Sequence, residues 1–473
     1  MTMIRAGMAV EATPVVVPAV PHPFWTLRRA AAALGAQLLS GPRLDDRALS
    51  GVSTDSRSVP HGALFVALRG EHHDAHAWLT QARDAGAAAV VVERPEAAAG
   101  LGIPVLVVSD TLQALGALAR GWRRAWGGTV IAVGGSNGKT STKELLRAAL
   151  GSRLTVHATT GNQNNLVGVP LTLLAIPAHT DVAVVEVGTN MPGEIERLRD
   201  ICEPDIVVVT SLGEEHLEGL GDLAGVLREE SAIFPRAKIA VVPVGEPALI
   251  EAAMRHGAHV IRAGIADGDL RADSFTLDAQ GRGALVVQGC AVTLPVRGVH
   301  QGANAMLALA VAQAVGVPMQ DAVAALEQTV VPAMRGDWES IGALSVINDA
   351  YNANPPSMRA ALQLLRAVGE GRQKVAVLGT MRELGAQADL QHDAVAREAL
   401  AVGLDIIVAV GEFGPAFARV APGDHRVRSA PDPETAWTQL EPVLSRDALV
   451  LLKGSRGVRL ERLLPSLTTW ATS

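Results

Sequence analysis

The hydrophobic positions of this chain fall into short apolar runs that are separated by longer amphipathic stretches. Apolar runs of strand length bounded by turn residues are typical of buried strands, whereas apolar spacings of three and four residues are typical of helices. In the first part of the chain this pattern predicts strands at residues 64–67, 87–93 and 105–108 and a helix at residues 77–86. These elements indicate a small α/β unit that ends near residue 108.

The same alternation continues through the rest of the chain and predicts two larger units. After a helix at residues 111–126, strands are predicted at 130–133, 182–187, 206–210 and 239–244, and then at 375–378, 405–410 and 448–452. Helix-length stretches separate these strands, as the crossovers of a parallel sheet require. Between the two sets, residues 274–296 alternate and turn at 280–283, which predicts a hairpin appended to the first of the two sheets.

The fold class predicted from these elements is α/β with three domains. A chain of 473 residues also exceeds the size that one hydrophobic core usually organises. We expect the domains at residues 1–108, 109–332 and 333–473, with residues 1–24 forming a disordered extension because prolines interrupt them.

Composition narrows the range of functions. Apolar residues make up 48% of the chain and aromatic residues only 3%, so Ala, Val and Leu are expected to build the cores. A formal charge of −7 argues against nucleic acid as a partner. Cys202 and Cys290 are too few for a disulfide framework and are interpreted as buried thiols. Prolines interrupt the apolar start, so we expect a cytoplasmic protein without stable membrane association, and a monomer by default.

A candidate phosphate-binding loop follows the strand at residues 130–133. The sequence Gly-Gly-Ser-Asn-Gly-Lys-Thr at residues 134–140 joins this strand to a helical pattern. Glycines let backbone N–H groups close on phosphate oxygens, and the helix directs the positive end of its dipole at the same anion. We predict that Lys139 reaches the terminal phosphates of a nucleoside triphosphate and that Thr140 binds Mg²⁺. The alternative is a plain turn into the helix, because Val133 occupies the position of the first glycine in the strict consensus.

Other polar residues lie where predicted strands end, the edge at which ligand sites collect in α/β sheets. Glu186 ends an apolar strand, where a carboxylate is costly to bury without a cation, so a Mg²⁺ ligand is favoured over a structural ion pair. His216 follows the next strand and could bind metal, although alone it would be an ordinary loop histidine. The amides of Asn162, Asn164 and Asn165 precede a helix and could either bind an anion or cap that helix.

Five further motifs stand in order along the chain. They are Gly-Asn-Gln-Asn-Asn at 161–165, Glu-Val-Gly at 186–188, His-Leu-Glu-Gly at 216–219, Asn-Asp-Ala-Tyr-Asn-Ala-Asn-Pro at 348–355 and Lys-Gly-Ser-Arg-Gly at 453–457. Together with the phosphate loop, they resemble the Mur ligases, which are ATP-dependent amide-forming enzymes of peptidoglycan precursor synthesis. The resemblance covers nearly the whole chain after about residue 45.

The motif at residues 348–355 is similar to the signature of the family member that joins D-alanyl-D-alanine to UDP-N-acetylmuramoyl-tripeptide. The resemblance therefore implies ATP and Mg²⁺ as cofactors, these two compounds as partners, and an acyl phosphate that the amine of the dipeptide attacks. It also implies a small UDP-binding α/β domain, a central parallel-sheet ATPase domain that carries the phosphate loop, and a Rossmann-like C-terminal domain.

The resemblance also implies roles for individual residues. Those implied to bind ATP are Gly135, Ser136, Asn137, Gly138, Lys139, Thr140, Ser141, Asn304, Arg335, Asp349, Tyr351 and Asn352. Those implied to bind the UDP-peptide or the dipeptide are Ser53, Asp55, Ser56, Arg57, Asn162, Asn164, Asn165, Lys453, Ser455 and Arg456. The metal ligands would be Thr140, Glu186 and His216, and Lys139, Glu186 and His216 would act in catalysis.

Four residues depart from the family pattern, and Glu230 is the most consequential. Relatives carry at this position a lysine that reacts with CO₂ to become a carbamate and helps to hold a second Mg²⁺. We hypothesise that Glu230 supplies this negative charge directly and is therefore both a catalytic and a metal-binding residue. The alternative is that Glu230 is a solvated helix residue and that Glu229, or no residue, has the role. The other departures are Met191, Ser211 and Thr380, where relatives carry His, Asn and Asp.

Three other functions are compatible with parts of the sequence. Another amide ligase, such as a folylpolyglutamate synthase or the ligase that adds the third peptide residue, would lack the motif at residues 351–355. A non-catalytic nucleotide-binding homologue is suggested by the four departures, but Lys139, Glu186 and His216 are intact. A generic phosphate-loop kinase would not need the Asp-Ser-Arg motif at residues 55–57.

Overall fold

The computed structural model describes residues 22, 24–40, 46–70 and 73–473, which separate into two compact units. The first unit comprises Met1–Ala132, Leu154–Val187 and Glu196–Asp205, and the second comprises Val133–Arg153, Gly188–Ile195 and Ile206–Ser473. Most of the predicted N-terminal extension lies outside the described residues. Its two described members, His22 and Phe24, place their rings 4.9 and 5.6 Å from that of Trp122.

The first unit begins with a small sheet. Its elements are α1 (Leu27–Leu34), β1 (Gln37–Ser40), β2 (Val52–Ser53), β3 (Leu64–Val66), α2 (Leu79–Asp84), β4 (Ala89–Val92), β5 (Val105–Val107) and α3 (Thr111–Trp126). The strand order is β1-β5-β4-β3-β2, and only β1 is antiparallel. The helix predicted at residues 111–126 has the same bounds in the structure, because Asp110 caps its first turn and Gly127 ends it at φ 74°. The predicted α/β unit is confirmed.

The strand that carries the phosphate loop comes next. The elements are β6 (Thr129–Gly134), α4 (Lys139–Gly151), β7 (Val156–Ala158), α5 (Gly168–Leu174), β8 (Val182–Glu186) and α6 (Glu194–Cys202). Strands β7 and β8 pair in parallel within the first unit. Every residue of β8 is buried, as its continuous apolar run predicts.

A parallel ladder follows in the second unit. Its elements are β9 (Ile206–Val209), α7 (Leu217–Leu220), α8 (Leu223–Ser231), β10 (Ile239–Pro243), α9 (Pro247–Arg255), β11 (His259–Gly264) and β12 (Leu270–Arg271). Strands β9 to β12 lie side by side in chain order, all in parallel. This confirms the predicted strands and their parallel pairing.

The hairpin prediction is wrong in one respect. Strands β13 (Ser274–Leu277), β14 (Arg282–Val287) and β15 (Cys290–Arg297) form an antiparallel sheet of their own and are not appended to the parallel ladder. Buried residues alternate with more accessible ones along β14 and most of β15, which suits a sheet covered on one face, whereas a parallel sheet is covered on both. Helices α10 (Val299–Ala314) and α11 (Met319–Ala325) contact this sheet.

The last part of the chain forms a six-stranded sheet. Its elements are β16 (Asp337–Ile341), β17 (Leu344–Asp349), α12 (Pro355–Val368), β18 (Lys374–Gly379), α13 (Ala388–Ala401), β19 (Ile406–Val410), α14 (Phe413–Val420), β20 (Val427–Ala430), α15 (Pro433–Leu440), β21 (Leu449–Lys453) and α16 (Leu464–Thr472). The order is β16-β17-β21-β18-β19-β20, with β16 alone antiparallel. Alternate residues of the central strands enter two separate hydrophobic cores, so both faces are covered. The three predicted strands are confirmed.

Two smaller expectations can be compared with the structure. Cys202 is buried as predicted, but Cys290 is only partly buried because it begins β15 directly after a turn. In the part of the chain that the structure describes, no helix is both long and apolar enough to cross a bilayer.

Candidate active site

The candidate phosphate loop is fixed by the polar residues that follow β9. Thr210 Oγ1 donates to the carbonyl of Asn137 (2.5 Å), and Ser211 Oγ accepts from the N–H of Asn137 (2.9 Å). The Ser136 hydroxyl bonds to both backbone groups of Gly213, at 2.9 and 3.1 Å. The loop therefore has a set shape before any ligand binds. Ser211, one of the four departures, is part of this support.

Two glycines allow the loop to approach its neighbours. Gly135 has φ 109°, and a Cβ at this position would lie 2.4 Å from Thr210 Oγ1. Gly138 has φ 84°, and a Cβ there would lie 2.7 Å from Asn304 Oδ1. A side chain at either position would be strained and would collide with its neighbour. The glycines are thus required by both conformation and space.

The first turn of α4 begins directly after the loop. Thr140 and Ser141 are buried there. Gln301 on α10 donates to Ser141 Oγ (3.2 Å) and accepts from Asn304 Nδ2 (3.0 Å). This chain of hydrogen bonds fixes the Asn304 amide beside Gly138. The implied contact of Asn304 with adenine stays a prediction.

Two buried carboxylates face the loop. Glu230 Oε2 accepts from the N–H of Gly135 (2.7 Å), and Glu215 Oε2 lies 3.7 Å from Lys139 Nζ. Lys139 Nζ also donates to the Gly135 carbonyl (2.5 Å). Burial raises the pKa of Glu230 to about 7, and burial also raises the pKa of Glu215, while Lys139 acts in the opposite direction on both. The sequence did not identify Glu215, although a carboxylate beside His216 just past a strand was the available signal.

The adjacent Glu229 and Glu230 have different surroundings. Glu229 accepts from the N–H groups of Gly193 (2.7 Å) and Ile195 (2.8 Å) and from Thr189 Oγ1 (3.2 Å). Its carboxylate is therefore occupied in holding the start of α6. Glu230 is 0% exposed, so it is not a solvated helix residue. Of the two glutamates, only Glu230 is bonded to the phosphate loop.

His216 is held by a residue far away in the sequence. Its Nδ1 lies 2.5 Å from Glu383 Oε2, across 167 residues, and its Nε2 lies 3.7 Å from Glu215 Oε2. Burial disfavours the imidazolium, but Glu383 and Glu215 outweigh this effect and raise the pKa of His216. His216 and Glu383 both have positive φ values, 50° and 65°. Sequence reasoning missed Glu383 because no local pattern relates it to His216.

Glu186 and the three amides lie in the first unit. Asn164 Nδ2 donates to Glu186 Oε1 (2.9 Å), while Asn165 Oδ1 accepts from the N–H of Gly168 (2.9 Å) at the start of α5. Asn162 is exposed. Asn165 therefore bonds to the first residue of α5, and Asn164 orients a carboxylate of the protein itself. Binding of an anion by these amides stays a prediction.

The chemistry of these carboxylates suits a hard cation. Among the described residues, no group of three or more His, Cys, Asp or Glu side chains is arranged to hold a metal ion. Within the same residues, however, Glu186 Oε2, Glu215 Oε1 and Glu230 Oε1 are buried and lack a hydrogen-bond partner. A buried carboxylate oxygen is costly unless a proton or cation compensates it, and carboxylates are preferred Mg²⁺ ligands. Each of these carboxylates therefore has the chemistry of a Mg²⁺ ligand.

Several residues predicted to bind the nucleotide lie around the loop after β17. Lys453 Nζ lies 2.9 Å from Asp349 Oδ2 and 2.7 Å from the carbonyl oxygen of Asn352. The Arg335 guanidinium stacks 4.0 Å from the centroid of the Tyr351 ring. The structure thus brings together the predicted nucleotide residues of this part. Lys453 is buried and forms these internal contacts, so it supports the loop.

The remaining predicted residues of this part are bonded to other residues of the protein. Ser455 Oγ accepts from the N–H of Arg382 (3.0 Å), and Arg456 pairs with Glu461 (2.7 Å). Among the departures, Thr380 Oγ1 accepts from the N–H of Glu412 (3.0 Å). Arg456 is exposed and Ser455 is buried.

The predicted UDP loop of the first unit follows β2. Asp55 binds Arg57 through two oxygens (2.9 and 2.8 Å), and the hydrogen bond to Arg57 outweighs burial and lowers the pKa of Asp55. Ser53 Oγ accepts from the N–H of Asp55 (3.2 Å), and Ser56 donates to Gln81 (3.0 Å) on α2. The result is a rigid turn that presents the Arg57 guanidinium to solvent.

Comparison with known proteins agrees with this geometry. The chain matches the Mur ligase family, catalytic domain, over residues 48–123, the Mur ligase middle domain over 133–312, and the Mur ligase, glutamate ligase domain, over 335–456. It is 34% identical over 440 residues to the UDP-N-acetylmuramoyl-tripeptide--D-alanyl-D-alanine ligase of Bacillus subtilis (strain 168), covering 91% of this chain and 95% of that protein.

Solved structures agree as well. MurF from Acinetobacter baumannii has a TM-score of 0.86 at 32% identity, with 94% of this chain and 99% of that chain covered. MurF ligase from Thermotoga maritima in complex with ADP has a TM-score of 0.79 at 26% identity, with 89% and 98% covered. The three-domain α/β architecture predicted from the sequence is that of these neighbours. The chain belongs to the Mur ligase family.

Proposed function

We propose that the protein is an ATP-dependent ligase that joins D-alanyl-D-alanine to UDP-N-acetylmuramoyl-tripeptide in peptidoglycan precursor synthesis. The proposal rests on a shaped phosphate loop that carries Lys139, in a chain that matches Mur ligases over most of its length. Beside the loop, Glu215 and Glu230 each have one buried oxygen without a hydrogen-bond partner among the described residues. The two substrates are those in the name of the relative from B. subtilis.

The nucleotide half of the reaction uses the loop and the residues after β17. The loop N–H groups and Lys139 bind the phosphates, and Asn304 lies beside the loop for the base. Asp349 bonds to ribose hydroxyls, while Arg335 and Tyr351 cover the nucleotide. The other residues assigned to ATP binding are Gly135, Ser136, Asn137, Gly138, Ser141 and Asn352. Because the loop is already fixed, little conformational entropy is lost when the phosphates bind.

The residues that would hold Mg²⁺ are Thr140, Glu186, His216 and Glu230. The bound cation would offset the negative charge of the phosphates. Glu186 Oε2 and Glu230 Oε1 support this assignment, because within the described residues both are buried and lack a hydrogen-bond partner. Glu230 then provides the carboxylate that the family obtains by modifying a lysine, and no CO₂-dependent step is needed in this chain.

The chemistry joins two anions, so the site must lower their repulsion. A carboxylate oxygen of the tripeptide attacks the γ-phosphorus, the bond to the ADP oxygen breaks, and an acyl phosphate forms. The amine of the dipeptide then attacks the acyl carbon, phosphate leaves with the electron pair of the C–O bond, and the nitrogen loses a proton. Lys139 stabilises the charge that develops during phosphoryl transfer.

The residues assigned to the UDP-peptide and the dipeptide lie in three segments of the chain. Ser53, Asp55, Ser56 and Arg57 hold the UDP part, with the exposed Arg57 guanidinium suited to its diphosphate. The remaining residues assigned to the peptide substrates are Asn162, Asn164 and Asn165 before α5, Lys453 at the end of β21, and Ser455 and Arg456 after it. The proposed boundary near residue 333 is supported by the gap between the family matches that end at residue 312 and begin at residue 335. The proposed boundary near residue 109 has no such support, because the first match continues to residue 123.

The test is phosphate release from ATP by the purified protein with Mg²⁺, omitting each substrate in turn. Release that requires both UDP-N-acetylmuramoyl-tripeptide and D-alanyl-D-alanine is the expected result. Release that requires a folyl or another peptide acceptor instead would assign the chain to a sister activity. An absence of release with every acceptor would favour a non-catalytic nucleotide-binding protein.

A further inference from the structure

Glu215 is a buried carboxylate for which the proposed reaction has assigned no role. Its side chain is 5% exposed, and within the described residues its Oε1 has no hydrogen-bond partner. Its Oε2 lies 3.7 Å from Lys139 Nζ and 3.7 Å from His216 Nε2. Neither distance is a hydrogen bond. Hydrogen bonding to the Ser136 side chain opposes the rise in the pKa of Glu215 that burial causes, but it does not satisfy both oxygens. One oxygen of this buried carboxylate is therefore left uncompensated at the phosphate loop.

A purely structural counter-ion would be placed differently. Elsewhere in the second unit, Lys453 meets Asp349 at 2.9 Å, and Glu229 accepts three hydrogen bonds. These buried groups are saturated by the protein itself, as is usual. Glu215 is as buried as Glu229, but within the described residues its Oε1 has no hydrogen-bond partner. A buried carboxylate oxygen without a hydrogen-bond partner indicates that a ligand binds to it.

The charge balance at the loop points to the same kind of ligand. Two buried carboxylates, Glu215 and Glu230, act on Lys139. The positive charge that His216 can carry is matched by Glu383, 2.5 Å away. A triphosphate would add further negative charge to this site. A cation that accompanies the nucleotide would offset this negative charge.

We propose that Glu215 supplies an oxygen to the divalent cation that accompanies the nucleotide, in addition to the four residues assigned above. This inference rests on the proposed nucleotide site. Without the cation, Glu215 repels the phosphates, whereas with it the same carboxylate attracts the metal–nucleotide complex. Glu215 therefore couples nucleotide binding to Mg²⁺.

A role as counter-ion for Lys139 alone makes a different prediction. In that case, removing the charge of Glu215 changes the affinity for nucleotide by the same factor with and without Mg²⁺. A cation ligand instead changes the ratio of the two affinities, which is the thermodynamic coupling between metal and nucleotide.

The experiment measures ADP binding by isothermal titration calorimetry, with Mg²⁺ and with EDTA, for the full-length protein and for Glu215→Gln. We expect Glu215→Gln to bind metal-free ADP more tightly than the wild type and to lose about tenfold or more of the Mg²⁺ coupling. Glu214→Gln is the matched control, because Glu214 is the neighbouring carboxylate, is partly exposed and lies 3.9 Å from Arg359. The control is expected to keep the wild-type coupling.

Thermal unfolding of each variant checks that the fold is retained. Glu215→Ala, which leaves no polar group in the site, is the second variant and is expected to lose the coupling in the same way. Wild-type coupling in a folded Glu215→Gln or Glu215→Ala protein overturns the inference and leaves the proposed ligase activity intact. If the wild type itself binds no ADP, it is the proposed nucleotide site that fails.

Discussion

The phosphate loop and the loop after β17 both carry strong sequence motifs, but their polar groups are satisfied to different degrees. At the phosphate loop, Glu215 and Glu230 each keep a buried oxygen without a hydrogen-bond partner in the described chain. After β17, Lys453 binds Asp349 and the carbonyl oxygen of Asn352, and Asn354 and Ser357 exchange hydrogen bonds in a capping box at the start of α12.

This difference distinguishes a motif that stabilises the fold from a motif that binds a ligand. Saturated polar groups stabilise the protein by themselves, whereas unsatisfied buried groups cost stability until a ligand compensates them. Changes at the phosphate loop should therefore alter ligand binding or pH dependence more than stability. Changes at Lys453 or Asn354 should alter stability first.

Lys139→Ala is expected to have the largest effect. Loss of the cation at the terminal phosphates should lower substrate-dependent phosphate release by about 10³-fold or more, with little change in the melting temperature. Arg147→Ala is the control, because Arg147 is a partly exposed cation on the same helix and pairs only locally with Glu144 at 2.7 Å. Full activity in Lys139→Ala would contradict the role of the loop.

Lys453→Met should lower the free energy of unfolding by about 3 kcal/mol, because it leaves the partly buried Asp349 carboxylate and the Asn352 carbonyl without their cation. Urea denaturation measures this change. Arg456→Ala, three residues later, removes an exposed cation and should change stability by less than about 1 kcal/mol. If Lys453→Met were as stable as the wild type and only impaired ligation, Lys453 would belong with the ligand-binding groups.

Glu230→Gln tests the buried carboxylate through pH. The pKa of Glu230 is raised from 4.5 to about 7, so its contribution to stability is full below about pH 4.5 and is lost as the pH rises through 7. In metal-free and nucleotide-free protein, the wild type should therefore lose about 1 kcal/mol between pH 6 and pH 8 that Glu230→Gln does not lose. Urea denaturation at both pH values measures the difference. Parallel pH profiles would show that Glu230 does not titrate in this range.

Asn354→Ala should have the smallest effect. Removal of the cap on α12 should cost about 1 kcal/mol of stability, and turnover should remain close to that of the wild type at 25 °C. Asn354→Ser retains a capping oxygen and should recover most of the loss. A large fall in turnover without a loss of stability would indicate that Asn354 contacts substrate.

Local patterns made much of the fold predictable. The helix at residues 111–126 has an acidic cap, an apolar stripe and a terminal glycine, and its bounds were predicted without error. The three-stranded sheet of β13 to β15 was assigned to the wrong sheet, because alternation reveals one covered face but not which element covers it. The motifs likewise located the phosphate loop, Glu186 and His216.

The sequence by itself determined the α/β class, the phosphate loop and the resemblance to a family, since each depends on the order and spacing of neighbouring residues. Only the tertiary structure decided which polar groups are satisfied. It paired His216 with Glu383 across 167 residues, saturated Glu229 but not Glu230, and placed Glu215 beside Lys139. Burial and long-range hydrogen bonds are properties of the folded chain, and they decide which carboxylates are left for a ligand.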